Sequence, residues 1–191
     1  VNTTGLHGIN AASGATLDAA GNLTLTGLAF GGGSSRGVNL LGVNLTAGGS
    51  ISITGQHSSN ASFAVVLDPN GTTQSSLTAG SGITLESLND NVGTVQLGGA
   101  TSLNGGSGDI VIKAALIGSF NSTSVRNIAT TGHIYLLPDA DQISFGDALN
   151  TQYLNFSNAS GLTIGAVGNT AGVTIGHAVT VSGPVNINGG A

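Results

Sequence analysis

The stretch that decides the fold covers residues 143–175 and reads ISFGDALNTQYLNFSNASGLTIGAVGNTAGVTI. Triplets of apolar, small polar and apolar residues recur in it, at Ile143-Ser144-Phe145, Leu154-Asn155-Phe156, Leu162-Thr163-Ile164 and Val173-Thr174-Ile175. Alternation with a period of two indicates a strand with one buried and one solvated face. The interval from the first triplet to the third equals the interval from the second to the fourth. A fixed period on two interleaved strand series predicts a solenoid, with Phe145 over Ile164 and Phe156 over Ile175.

The same triplet occurs upstream, at Leu23-Thr24-Leu25, Ile51-Ser52-Ile53, Ile83-Thr84-Leu85 and Ile110-Val111-Ile112. The last three are separated by longer intervals than the C-terminal triplets, so loops are expected to bulge from the N-terminal half. We therefore predict an all-β fold, a right-handed parallel β-helix with coils of about 19 residues, looser in its first half. Residues 21–191 are expected to form one solenoid of roughly eight or nine coils and 40 Å that continues beyond the C-terminus. Residues 1–20 are assigned to an extended or capping segment.

Composition excludes several other classes of protein. Gly occupies 33 positions and only 6% of residues are charged, which argues against helices, because Gly in a helix costs roughly 1 kcal/mol relative to Ala. At 39% hydrophobic residues the chain is too apolar for a disordered protein. The net charge of −5, with three Lys and Arg in all, leaves no basic patch for nucleic acid. Cys is absent, so disulfides and thiolate metal sites are excluded.

No apolar run approaches the roughly 20 residues that a membrane helix requires, so membrane insertion is not expected. The chain begins at Val1 without a signal-like segment, and we interpret it as a mature product or an excised fragment.

The repeats resemble those of filamentous haemagglutinin-like giant adhesins. The likeness lies in Gly161-Leu162-Thr163-Ile164-Gly165, in residues 168–175 and in residues 178–185, and similar Gly-Ser-Ile-Thr-Ile elements surround Ser50 to Gly55 and Ser81 to Glu86. It covers about residues 20 to 190 and is strongest after residue 140. The resemblance implies a two-partner-secreted or autotransported surface protein of a Gram-negative bacterium, with a β-helix rod and a role in adhesion. No match to the family's N-terminal secretion domain is present.

Candidate sites for metals and catalysis are sparse. The one cluster of acids is Asp139, Asp141 and Asp147, which could bind Ca²⁺ in a loop but is more typical of solvated turns. The four histidines, His7, His57, His133 and His177, are far apart along the chain and form no metal-type pair. No cofactor is predicted, and the chain is predicted not to be an enzyme.

Asn-X-Ser/Thr sequons occur about twice as often as chance predicts for this composition. They are potential glycosylation sites, although turn composition explains them slightly better; the residues are Asn2, Asn22, Asn44, Asn60, Asn70, Asn121, Asn155 and Asn158.

Three functions are compatible with these observations. The first is a non-catalytic structural and adhesive segment, a rigid rod that attaches to a glycan or protein on a host or neighbouring cell. The second is an extracellular filament subunit that associates end to end by strand addition. The third is a carbohydrate-active β-helix enzyme, which would need acids that converge in a groove.

Overall fold

A computed structural model describes residues 7–12, 14–30, 35–57, 63–70, 72–88, 93–118, 124–139 and 142–190. These residues form an all-β parallel solenoid of about five turns. No helix occurs within the described ranges, so none there could span a membrane.

Each of the first five turns contributes one strand to each of three sheets, and the chain then adds one further strand to sheet B and two to sheet C. Sheet A contains β1 (Ile9–Ala12), β4 (Val38–Leu41), β7 (Phe63–Asp68), β10 (Thr94–Leu97) and β13 (Leu116–Gly118). Sheet B contains β2 (Thr16–Ala19), β5 (Asn44–Ala47), β8 (Ser76–Ala79), β11 (Ser102–Asn104), β14 (Arg126–Ala129) and β17 (Leu154–Ser157). Sheet C contains β3 (Leu23–Ala29), β6 (Ile51–His57), β9 (Ile83–Ser87), β12 (Ile110–Lys113), β15 (His133–Leu137), β18 (Gly161–Ile164) and β20 (Val185–Ile187). A separate parallel pair consists of β16 (Leu149–Asn150) and β19 (Val173–Thr174).

The repeat length is about 28 residues, and the predicted value of about 19 is wrong. Ile164 pairs with Leu136 and Ile187, whereas Phe156 pairs with Ile128. Phe145 is buried but precedes β16, and its N–H donates to Asn169 Oδ1 at 3.1 Å. One turn contains three strands and three corners. Two residues separated by the shorter predicted interval are therefore less than one turn apart and lie on different sides of the solenoid.

The longer turn also shortens the rod. The structure has about five turns in place of the expected eight or nine coils, and the seven strands of sheet C, roughly 4.8 Å apart, span about 29 Å instead of 40 Å. Turns in the first half contain more residues. The interval from Ile51 to its register partner Ile83 exceeds the interval from Ile110 to its partner Ile134. The right-handed sense stays a prediction.

Residues 9–12 and 16–19, within the segment assigned to an extension or cap, form β1 and β2. These strands pair in parallel with β4 and β5, so they lie in the first turn of the stack. Leu17 of β2 is 41% exposed because nothing described lies above it.

Columns of apolar side chains form the core. Each column contains one residue from each strand of its sheet, aligned by the strand register. On sheet C one column is Leu25, Ile53, Leu85, Ile112, Leu136, Ile164 and Ile187. Its members from Ile53 to Ile164 are fully buried, whereas Ile187, in the last strand, is 45% exposed. A turn is therefore sealed by the turns on either side of it.

The middle strands of sheet A, β4, β7 and β10, are buried on both faces, unlike those of sheets B and C. Successive residues Ala64, Val65, Val66 and Leu67 of β7 are all fully buried. A parallel strand covered on both sides is typically a continuous apolar run instead of an alternating one. Only sheets B and C therefore present a regular outer face to solvent.

Glycine permits the close approach of sheet C to sheet A. Gly55, in β6, lies so near the next strand that a Cβ built on it would clash with the Ala64 carbonyl oxygen. Gly27, its register partner in β3, meets the Gly37 carbonyl in the same way. Any side chain here would have to displace backbone.

We expect Gly55→Ala to lower the free energy of unfolding by about 1–3 kcal/mol, as overpacking does. Gly21→Ala is the matched control, because a Cβ at Gly21 has nothing within 4 Å. Urea denaturation of both variants checks the difference. Equal stability of the two would contradict the close approach.

A buried polar column marks the corner between sheets A and B. Ser75, Thr101 and Arg126 each begin or precede a strand of sheet B and are fully buried. Thr101 Oγ1 donates to the Leu67 carbonyl at 3.2 Å, and Ser75 Oγ donates to the Asp68 carbonyl at 2.8 Å. Each of these carbonyls also accepts a backbone hydrogen bond, from the Gly98 N–H to Leu67 and from the Gly42 N–H to Asp68, so the side chains add a second hydrogen bond at the corner.

Arg126 links three turns. Its Nε donates to the Leu97 carbonyl of the preceding turn at 2.9 Å, and its guanidinium lies 5.8 Å from the Tyr153 ring of the following turn. Nη1 donates to the Ser124 carbonyl at 2.8 Å. Burial lowers the pKa of Arg126, and the Asp68 carboxylate opposes that shift. An arginine remains charged in proteins, so this corner contains a buried cation.

We expect Arg126→Ala to lower the free energy of unfolding by about 3–5 kcal/mol, because it leaves buried carbonyls unpaired and a cavity behind. Asn127→Ala, on the exposed side of the same strand, is expected to change it by less than about 0.5 kcal/mol. Chemical denaturation measures both. Similar losses would contradict the assignment of Arg126 as a structural link.

Candidate functional site

Sheet B presents an almost uncharged outer face. The strand register aligns two columns of short, mostly polar side chains along the stack. One column is Thr16, Asn44, Ser76, Ser102, Asn127 and Asn155; the other is Asp18, Thr46, Thr78, Asn104, Ala129 and Ser157.

Members of the first column bind one another along the axis. Ser76 Oγ donates to Asn44 Oδ1 at 2.7 Å, and Asn155 Nδ2 donates to Asn127 Oδ1 at 3.0 Å. These two hydrogen bonds restrain four of the six side chains of the column, which present amides and hydroxyls to solvent.

Sheet C has a different outer face, on which several charged and aromatic residues of the middle turns lie. One outward column of its first three strands contains only Thr and Ser, at Thr24, Ser52 and Thr84. The next positions form what we call the sheet C patch, defined as Glu86, Asp109, Lys113, His133 and Tyr135. In a chain with 6% charged residues, this patch contains the only lysine, two of the eight acids and one of the two tyrosines.

The patch is organised by contacts between turns. Asp109 Oδ1 accepts a hydrogen bond from the His133 backbone N–H at 2.8 Å, so it caps the start of β15. His133 Nε2 lies 2.9 Å from Thr163 Oγ1 of the next turn. The His133 and Tyr135 rings stack with centroids 4.3 Å apart and an interplanar angle of 28°.

An ion pair closes the other side of the patch. Lys113 Nζ lies 3.6 Å from Glu86 Oε1, and both side chains are partly exposed. An exposed pair of this kind contributes at most about 1 kcal/mol to stability, so both groups remain available to a ligand. Lys113 also lines a pocket at the corner that follows sheet C, together with Leu137, Pro138, Asp139, Gln142 and Ala166.

The structure places the acids of the candidate calcium site separately. Asp139 is 3% exposed in the wall of the corner pocket. Asp147 is exposed, and its Oδ1 accepts a hydrogen bond from the Ala148 N–H at 2.7 Å, as in an ordinary turn. Asp141 lies outside the described residues. Among the residues that the structure describes, no group of three or more His, Asp or Glu could hold a metal ion.

The sequon asparagines that the structure describes lie mostly at the surface. Asn22, Asn44, Asn70 and Asn158 are exposed, and Asn155 is half-buried. Asn158 has a φ of 62°, which Asn tolerates better than most residues. Asn2, Asn60 and Asn121 lie outside the described residues, and glycosylation stays a prediction.

The other histidines have different environments. His57 is 2% exposed at the inner side of β6. His7 is half-buried; burial lowers its pKa, and the nearby Arg36 charge lowers it further. His177 is exposed after β19. None of these three belongs to the sheet C patch.

Comparisons with known proteins give no identification. No protein-family model matches the chain, and neither a curated protein nor a solved structure matches it. The resemblance to giant adhesins is therefore supported only as far as the fold, a parallel β-solenoid.

Sequence reasoning missed the sheet C patch. Glu86, Lys113 and Leu137 are register partners in successive turns, and the shorter repeat expected from the sequence does not align them. The sequence did contain a signal for this alignment. Ile83, Ile110 and Ile134 are register partners, and the outward residues that follow their strands' apolar triplets are aligned in the same way.

We expect Asp109→Ala to lower the free energy of unfolding by about 0.5–1.5 kcal/mol, because the first N–H of β15 loses its acceptor. Asp109→Asn should be close to neutral, since Asn22 already performs this role by accepting from the Ser50 N–H at 2.9 Å. Thermal unfolding of the two variants checks the prediction. A larger loss for Asn than for Ala would contradict it.

Proposed function

We propose that this chain is a non-catalytic rod segment of a secreted, cell-surface adhesin, similar in role to the filamentous haemagglutinin-like proteins. Its solenoid holds the outer faces of sheets B and C in fixed positions, and those faces attach to a partner on a host or neighbouring cell. The observation that carries the proposal is the unbroken register of sheet C from β3 to β20. A surface that repeats in register keeps its binding groups in place along its length.

The chemistry of the outer faces supports attachment to a polar, uncharged partner. The sheet B columns offer amides and hydroxyls, which both donate and accept hydrogen bonds. A net charge of −5 disfavours strongly anionic partners. A glycan or a neutral protein surface suits these faces, with no nucleic acid and no inserted membrane segment in the proposal.

Bead attachment tests this function. Beads coated with the folded chain are expected to attach to cultured epithelial cells in a saturable manner, and free chain in solution should compete with them. Beads coated with albumin are the baseline. Attachment no greater than that baseline, or attachment that free chain does not reduce, would overturn the proposal.

A core variant separates attachment by the fold from adhesion of exposed chain. Ile112 is fully buried in sheet C between Leu85 and Leu136, so Ile112→Asp should unfold its turn and the turns beside it. Val167→Ala is the matched control for folding, because Val167 is 88% exposed in the corner after β18 and lies outside both outer faces. We expect attachment to be lost in Ile112→Asp and kept in Val167→Ala; equal attachment by both would contradict a role for the folded rod.

A further inference from the structure

The corner pocket lies where the chain leaves sheet C after β12, β15 and β18. Its lining is Lys113, Leu137, Pro138, Asp139, Gln142 and Ala166, and its volume is about 250 Å³. The lining comes from three successive turns, because Lys113 pairs with Leu137 and Ala166 follows β18. Correct stacking of the solenoid is therefore required to form it.

Apolar and polar groups are divided within the pocket. Leu137, Pro138 and Ala166 provide an apolar surface. Lys113 supplies a hydrogen-bond donor, and the Gln142 amide supplies both donors and an acceptor. The Gln142 backbone N–H donates to the Asp139 carbonyl at 2.9 Å, which ties these two lining residues together.

The volume limits the ligand to a small one. Pockets for drug-sized ligands are typically about 300–1,000 Å³, so this pocket suits one ring and not a chain of them. Tyr135 lies two positions before Leu137 on the same outer face of β15. A ligand that projects from a longer polymer could extend from the pocket along the sheet C patch.

Charge favours a neutral ligand. Among the described lining residues Lys113 is the only cation; Glu86 lies 3.6 Å from it, and Asp139 adds a second acid. An anionic ligand would meet one positive and two negative groups. A ligand with several hydroxyls and one apolar face fits both the polar and the apolar parts of the lining.

We propose that the corner pocket binds a single neutral pyranose residue of a surface glycan. This inference rests on the proposed adhesive function and names its ligand class. Lys113 and Gln142 bind the hydroxyls, and the ring packs against Leu137 and Ala166. A one-residue ligand of this size is expected to bind with a dissociation constant on the order of millimolar.

Amide spectra of the ¹⁵N-labelled chain, titrated with the methyl pyranosides of glucose, galactose, mannose and N-acetylglucosamine, test the proposal. At least one sugar should shift the amides of Lys113, Asp139 and Gln142 in a saturable manner. Glucuronate and alanine are the comparators for an anionic and a zwitterionic ligand. No saturable shift with any neutral sugar, or stronger binding of either comparator, would overturn the proposal.

Variants locate the site. Gln142→Ala removes one polar partner, and Ala166→Leu fills the pocket; each should weaken binding by about tenfold or more. Val167→Ala is the matched control, because Val167 is 88% exposed next to Ala166 and does not line the pocket. Unchanged affinity in both pocket variants, with amide spectra that show an intact fold, would also overturn it.

The two proposals fail in different ways. If the chain attaches to cells but binds no sugar, the proposal for the pocket is overturned and the proposed adhesive function stands. If it binds a sugar but does not attach to cells, the adhesive function is overturned and the proposal for the pocket stands.

Discussion

The mutual sealing of neighbouring turns is the constraint on which the rest of this structure depends. A single turn has too few apolar residues to enclose a core, and its strands have no partners within the turn. Parallel register solves both problems at once, because it pairs the backbone and aligns Leu85, Ile112 and Leu136 in one buried column. The polar corner obeys the same rule, since Arg126 binds a carbonyl of the turn before it and packs near Tyr153 of the turn after it.

The fold class could be predicted from the sequence because apolar and polar residues alternate in strands that have one solvent-exposed face. The repeat length could not be predicted, because two of the four apolar triplets in residues 143–175, those of β17 and β18, belong to one turn. The triplet of β19 belongs to the next turn. Ile143 is 67% exposed, so its triplet is not a core strand at all. Corners carry no apolar signal, and their lengths differ from turn to turn. The middle strands of sheet A, buried on both faces, lack the alternation on which the interpretation depended.

The candidate site was hidden for the same reason. Its residues are ordinary in sequence, and only the register of about 28 residues brings Glu86, Lys113 and Leu137 side by side. The spacing of Asp139 and Asp147 in sequence indicated a candidate calcium site. In the structure Asp139 lines the corner pocket, and Asp147 lies in a turn. In a solenoid, neighbours on the surface are one turn apart, so proximity in sequence says little about a site. Function in such a protein depends on the stack as much as on any one side chain.

Engineered disulfides test the stacking most directly, because the chain has no cysteine of its own. Asn127 and Asn155 face solvent as register partners, and neighbouring strands lie about 4.8 Å apart, within reach of a disulfide. The account predicts that Asn127→Cys with Asn155→Cys forms an intramolecular disulfide under mild oxidation without loss of stability. It predicts none for Asn155→Cys with Thr174→Cys, the pair that the shorter repeat would align, because Thr174 pairs with Asn150. Disulfide formation in the second pair and not in the first would contradict the three-sided stack.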